Sequence, residues 1–140
     1  MQLVAAYVTA FAVFALVDAA WLSVMGPVLY RPVLHDILLS SLKIAPAIVF
    51  YAMFPAGIVV FAAAPALKAG SVGTAALYGL LLGAFAYATY DLTNFATLRN
   101  WNLQITVLDI AYGAIATATA AAAATLLARL LPASIGAAAG

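Results

Sequence analysis

Three aspartates lie within stretches of the chain that are otherwise apolar enough to cross a bilayer. They are Asp18, Asp91 and Asp109, and each is predicted roughly 10 Å inside the same membrane face, from a rise of about 1.5 Å per helical residue. A charged group well inside hydrocarbon costs on the order of 3 kcal/mol. Three acids in so small a chain are therefore not expected to face lipid. Because ionisable groups within membranes are candidates for function, we predict that these carboxylates share a site that binds a ligand or relays protons.

Helical spacing adds polar and aromatic partners to each acid, because residues three or four apart lie on the same helix face. An amide or an aromatic ring follows each aspartate at this spacing. Arg99, at the predicted end of the third helix, is expected to reach inward by about one turn and to neutralise an acid or an anionic head group. The predicted ligand-binding or proton-binding residues are Asp18, Asp91, Asp109, Asn94, Tyr90, Tyr112, Arg99 and Trp21.

The three acids could hold a proton or a metal ion. Burial and mutual repulsion both disfavour the charged form of a carboxyl group, so at least one of the three is predicted to be protonated near neutral pH. A proton-coupled carrier requires such a group. Three carboxylates could also hold a divalent cation, but a catalytic metal would more often bring histidine, and the only histidine, His35, is predicted in a loop. We predict no metal and no cofactor.

The composition is that of an integral membrane protein. Hydrophobic residues make up 69% of the chain and charged residues 6%, whereas soluble domains carry roughly 25% charged residues. The absence of cysteine excludes disulfides, thiolate nucleophiles and cysteine-ligated metals. The net charge is +1 and no run of lysine and arginine occurs, so nucleic acid is not an expected partner. The lipid bilayer is the expected surroundings.

The apolar stretches predict the fold class. A spanning helix needs about 20 largely apolar residues, and the chain offers four such stretches. Two of the three connections are short, so neighbouring helices are expected to pack antiparallel. We therefore predict an all-α protein, a single transmembrane domain over residues 1–140 that forms a four-helix bundle with short loops. The predicted helices cover about 3–25, 44–64, 74–98 and 103–127, with an interfacial loop over about 26–43.

Small residues and loop charges bear on association and orientation. Gly79 and Gly83 form a small-xxx-small pair, which is typical either of tight packing inside one bundle or of a homodimer seam. A homo-oligomer is expected for a carrier, because four helices enclose little volume. Three basic residues are predicted on the face reached after the first helix and two on the other. The positive-inside rule then favours both termini outside.

Two motifs resemble those of a known family. The run from Tyr90 to Arg99 with Trp101, followed by Asp109 to Gly113, resembles the signature of an uncharacterised bacterial membrane family, domain of unknown function 2177. The residues Asp18 to Leu22, with Tyr30 and Pro32 after them, resemble its other motif. The resemblance covers nearly the whole chain. It implies four helices and this residue set, and it supplies no reaction. We expect a multi-pass protein of the bacterial inner (cytoplasmic) membrane.

Three kinds of function remain open. The first is binding of a small polar or amphipathic ligand, with proton exchange. The second is a lipid-modifying enzyme that uses one aspartate as general acid and another as base, although no recognised nucleophile, metal or cofactor motif is present. The third is an accessory subunit whose acids only fasten the helices together. The aromatic residues Trp21, Tyr30, Tyr51 and Trp101 are predicted to pack at the interface or, alternatively, to wall a ligand site.

Overall fold

A computed structural model of the chain describes residues 1–132. Over this range it contains four long helices and no strand: α1 (Gln2–Leu34), α2 (Ile44–Ala69), α3 (Val72–Thr97) and α4 (Leu103–Arg129). Each helix is long and apolar enough to cross a membrane. The predicted all-α, four-helix membrane architecture is therefore confirmed. The C-terminus, which was predicted to lie outside, falls beyond the described residues.

Local capping explains why the two short connections turn so tightly. Gly70 ends α2 with a φ of 64°, a left-handed conformation that favours glycine. The Ser71 hydroxyl then accepts a hydrogen bond of 3.2 Å from the Thr74 N–H and starts α3. Asn102 starts α4 in the same way, because its side-chain oxygen accepts a bond of 2.9 Å from the Ile105 N–H. These caps favour antiparallel neighbours.

The first helix is longer than the sequence predicted. The predicted interfacial loop over 26–43 is helical up to Leu34, and only residues 35–43 are non-helical. The reason is tertiary packing: Leu29 and Leu34 are buried in a cluster with Trp101 and Ile105 at the start of α4. Burial of these side chains stabilises a helical continuation that the glycine and proline at its start would not favour alone.

Two π turns accommodate prolines in the long helices. Gly26–Tyr30 in α1 and Val59–Ala63 in α2 both have π geometry, and each turn ends two residues before a proline, Pro32 or Pro65. A proline ring clashes with the carbonyl group four residues earlier in a regular α-helix. The wider turn relieves that clash while keeping the helix continuous. Pro55 also lies inside α2, where it removes one backbone donor.

The most extensive helix contact is between α3 and α4, and it depends on glycine. A methyl group added at Gly79 would lie 2.8 Å from the Ala121 Cβ, and one added at Gly83 would lie 2.7 Å from the Thr117 hydroxyl. Both distances are too short for real side chains, so these positions require glycine. The small-xxx-small pair therefore packs α3 on α4 within the chain. A homo-oligomer stays a prediction.

Replacing Gly83 with alanine should destabilise the bundle, because the new methyl group overlaps the backbone of Gly113 and the side chain of Thr117. We expect a loss of about 1–3 kcal/mol in the free energy of unfolding, seen as a lower midpoint of thermal unfolding in detergent micelles. Gly57→Ala is the matched control, because a methyl group there has no neighbour within 4 Å. Equal midpoints for the two variants would contradict the proposed packing.

Candidate functional site

Asp18 joins three of the four helices. The Tyr112 hydroxyl on α4 donates a hydrogen bond of 2.9 Å to one carboxylate oxygen of Asp18, and the Tyr51 hydroxyl on α2 donates to the other. The Asp18 side chain is 7% exposed. A buried polar group is expensive without partners, and here both oxygens have one. The carboxylate therefore fastens α1 to α2 and α4.

Asp109 is held by the extension of α1. The Tyr30 hydroxyl donates to one Asp109 oxygen, and the Trp21 indole N–H donates a bond of 2.8 Å to the Tyr30 oxygen. The Trp21 ring also stacks on Tyr112, with ring centroids 4.2 Å apart. The second Asp109 oxygen accepts none of the hydrogen bonds formed by side chains of residues 1–132. Asp109 thus keeps one acceptor for another donor.

An open cavity of about 510 Å³ lies beside both acids. Asp18 and Asp109 line its polar part together with Arg31. The apolar part includes leucines of the α1 end and of the following connection, from Leu34 to Leu42. Polar and apolar surfaces therefore face one space. Its aromatic lining consists of Trp21, Tyr30, Tyr87, Tyr90, Trp101 and Tyr112.

Asp91 occupies a different position from the other two acids. It is 0% exposed, and neither of its carboxyl oxygens has a hydrogen-bond partner among the described residues. It does not line the cavity, and it lies on α3, the helix that packs most extensively on the Asp109 helix α4. No group of three carboxylate or histidine side chains within residues 1–132 could hold a metal ion. The structure therefore pairs Asp18 with Asp109 along the cavity and buries Asp91 separately.

The remaining predicted residues differ in how closely they approach the cavity. Tyr90 lines it and packs edge-on against Trp101, with ring centroids 5.4 Å apart. Asn94 is half-buried and does not line the cavity. Arg99 is exposed and forms no ion pair with any acid of the described chain. The guanidinium group that lines the cavity belongs to Arg31 instead.

The predicted distance of Asp18 from the membrane face rests on an α1 that ends near Met25. Because α1 continues to Leu34 rather than ending near Met25, Asp18 lies near the middle of its helix. Asp18 and Asp109 still line the same cavity, because the stacking of Trp21 on Tyr112 holds α1 and α4 together at this level. Contact between helices, rather than equal depth, brings the acids to one cavity.

Sequence reasoning assigned Tyr30 and Tyr51 to packing, with a ligand wall as the alternative, and did not foresee their hydrogen bonds to the acids. Tyr30 lies 79 residues from Asp109, and Tyr51 lies 33 residues from Asp18. Helical periodicity relates residues on one helix only, so it carries no signal for pairs so far apart. The tyrosine partners are visible only in the folded chain.

Four membrane-length helices that bury a carboxylate and tyrosine network beside an open cavity define a multi-pass membrane protein with an internal polar site. Residues 3–126 match the family described as Predicted membrane protein (DUF2177). The chain belongs to that family, which confirms the resemblance of its motifs. Comparisons with curated proteins and with solved structures gave no match. The family description supplies the membrane setting and no activity.

Replacing Asp18 with alanine should cost more stability than replacing Asp91 with alanine. The first change leaves the hydroxyl groups of Tyr51 and Tyr112 without their acceptor, at about 1–3 kcal/mol for each unsatisfied group. The second change removes oxygens that have no partner within residues 1–132. Both substitutions delete the same atoms, so each is the control for the other. The measurement is equilibrium unfolding in mixed micelles. A larger loss for Asp91→Ala would contradict the fastening role of Asp18.

Proposed function

We propose that this protein binds an amphipathic ligand in the cavity, with the head group of the ligand against Asp109 and Asp18 and its apolar part against the leucines. The observation that carries the proposal is the pairing of two buried acids with one open cavity of about 510 Å³ that also has an apolar side. Ligand sites typically enclose about 300–1,000 Å³ and combine an apolar lining with a few polar groups.

The hydrogen bonds assign different roles to the two acids. Both oxygens of Asp18 accept from tyrosines of other helices, so this carboxylate is engaged in holding the bundle together. One Asp109 oxygen accepts a hydrogen bond from the Tyr30 hydroxyl, and the other accepts none from the described side chains. A carboxylate that only holds helices together would be expected to have both oxygens hydrogen-bonded, as Asp18 has. Asp109 is therefore the proposed contact to the ligand, and Trp21, Tyr90 and Tyr112 are proposed to orient it.

Proton exchange is part of the proposal because of Asp91. This carboxyl group is fully buried and has no hydrogen-bond partner among the described residues. It is proposed to interact electrostatically with Asp109 across the contact of α3 with α4. A ligand that changes the charge near Asp109 also changes the free energy of charging Asp91. Binding would then take up or release a proton, which is the coupling that a proton-linked carrier needs.

The chain reports on its own cavity through fluorescence. It contains two tryptophans, Trp21 and Trp101, and both line the cavity. We expect a saturable change in tryptophan fluorescence when the protein in dodecyl maltoside micelles, which contain no phospholipid, is titrated with at least one of dodecylamine, dodecanol or laurate. Trp21→Phe and Trp101→Phe, which each leave one reporter, serve as controls. A response that rises linearly with all three probes, as simple partitioning into the micelles would, contradicts the site.

Proton exchange should appear in calorimetry with whichever of these probes binds. The apparent enthalpy of binding is expected to differ between two buffers with different heats of ionisation, because a proton passes between protein and buffer. Asp91→Asn, which keeps the size of the side chain and cannot ionise, should remove that difference while binding persists. Equal enthalpies for the native chain in both buffers would contradict proton exchange and leave ligand binding standing.

A further inference from the structure

The lining of the cavity also indicates the class of ligand. Building on the proposed binding function, we infer that the ligand is a phospholipid-like amphipath with a zwitterionic head group. Its ammonium group lies against Asp109, and its phosphate oxygens lie against Trp101 and Arg31. Each charged group of the head group has its own binding residues in the cavity. The hydrocarbon chain of the ligand contacts the apolar side.

The ammonium position follows from the acid and its aromatic neighbours. Asp109 has an oxygen that no side chain of the described residues engages, and a positively charged donor is the partner that a carboxylate binds most strongly. The rings of Trp21, Tyr87 and Tyr112 line the same cavity. Aromatic faces attract cations, and groups of such rings are used to bind ammonium ligands. A carboxylate within an aromatic cavity therefore favours an ammonium group over a neutral or anionic one.

The phosphate position follows from two hydrogen-bond donors that line the cavity, the Trp101 indole and the Arg31 guanidinium group. The Trp101 side chain is 6% exposed, lines the cavity, and its indole N–H has no partner among the described residues. Arg31 lines the cavity too and forms no ion pair with Asp109 or Asp18. Indole and guanidinium groups donate hydrogen bonds and accept none. The buried Trp101 N–H therefore lacks an acceptor, and the exposed Arg31 adds a positive charge to the same cavity. A phosphate supplies several acceptor oxygens with the matching charge.

The positions of these residues along the helices indicate which charged group of the ligand lies deeper in the bundle. Arg31 is in the last turn of α1, and Trp101 comes just before α4 begins at Leu103. Asp109 is six residues further into α4, or about 9 Å along its axis. The anion site is thus nearer the helix ends, where lipid phosphates lie, and the ammonium site is deeper. The leucines between Leu34 and Leu42 provide an apolar surface for a lipid chain.

A matched pair of lipids tests this inference. Lysophosphatidylethanolamine and lysophosphatidylglycerol share a phosphate and a chain, and only the first has an ammonium group. With the same fluorescence assay in maltoside micelles, we expect lysophosphatidylethanolamine to bind at least about tenfold more tightly, as expected for one charge-assisted contact. Free phosphoethanolamine, which lacks a chain, should give no response at these concentrations. A response as tight as that of the lysolipid would overturn the lipid assignment.

Two variants separate the two halves of the head group. Asp109→Asn should abolish the preference for lysophosphatidylethanolamine while saturable binding of lysophosphatidylglycerol persists, which also shows that the variant is folded. Arg31→Gln should weaken both lipids by a similar factor. Equal affinity of the native chain for the two lipids overturns the ammonium site, and an unchanged affinity of Arg31→Gln overturns the anion site. If neither lysolipid binds but a single-chain probe does, the zwitterionic ligand is wrong and the proposed binding function stands.

Discussion

The free energy of placing a carboxylate inside hydrocarbon is the constraint on which the arrangement of this protein depends. Asp18 meets it by accepting hydrogen bonds from Tyr51 and Tyr112, which come from two other helices. Because neither tyrosine is on the helix of the acid, its burial requires that α1, α2 and α4 meet at one level. The stacking of Trp21 on Tyr112 follows from the same approach of α1 to α4. One buried acid thus sets the geometry of the wall on which Asp109 is exposed to the cavity.

Close packing of α3 on α4 supplies another part of the cavity wall. Lipid provides no hydrophobic drive between helices, so this contact depends on how closely the backbones approach. Gly79 and Gly83 allow that approach on α3. On α4, Gly113 lies directly under the ring of Tyr87, where any side chain would overlap it. Tyr87 is one of the aromatic residues of the cavity. The same small residues that hold two helices together therefore also position part of the proposed ligand site.

The irregular part of α1 completes the site. A π turn over Gly26–Tyr30 carries the helix past its prolines, and the extension packs on Trp101 and Ile105 at the start of α4. As a result, Tyr30 reaches Asp109 and Arg31 lines the cavity. Single π turns are frequent at functional sites, since they change the direction of side chains without breaking a helix. Here the turn links a structural irregularity to the residues that carry the proposed function.

The membrane class, the number of helices and the identity of the buried acids could be predicted from the amino-acid sequence. These properties are local: hydropathy over about 20 residues marks a spanning helix, and an acid within such a stretch must be buried. The folded chain, in contrast, brings Asp18 and Asp109 to one cavity and encloses Asp91 apart from it. Folding also places Arg31 rather than Arg99 at the cavity and extends α1 beyond its predicted end. Each of these outcomes depends on contacts between distant segments, and helical periodicity describes only neighbours on one helix.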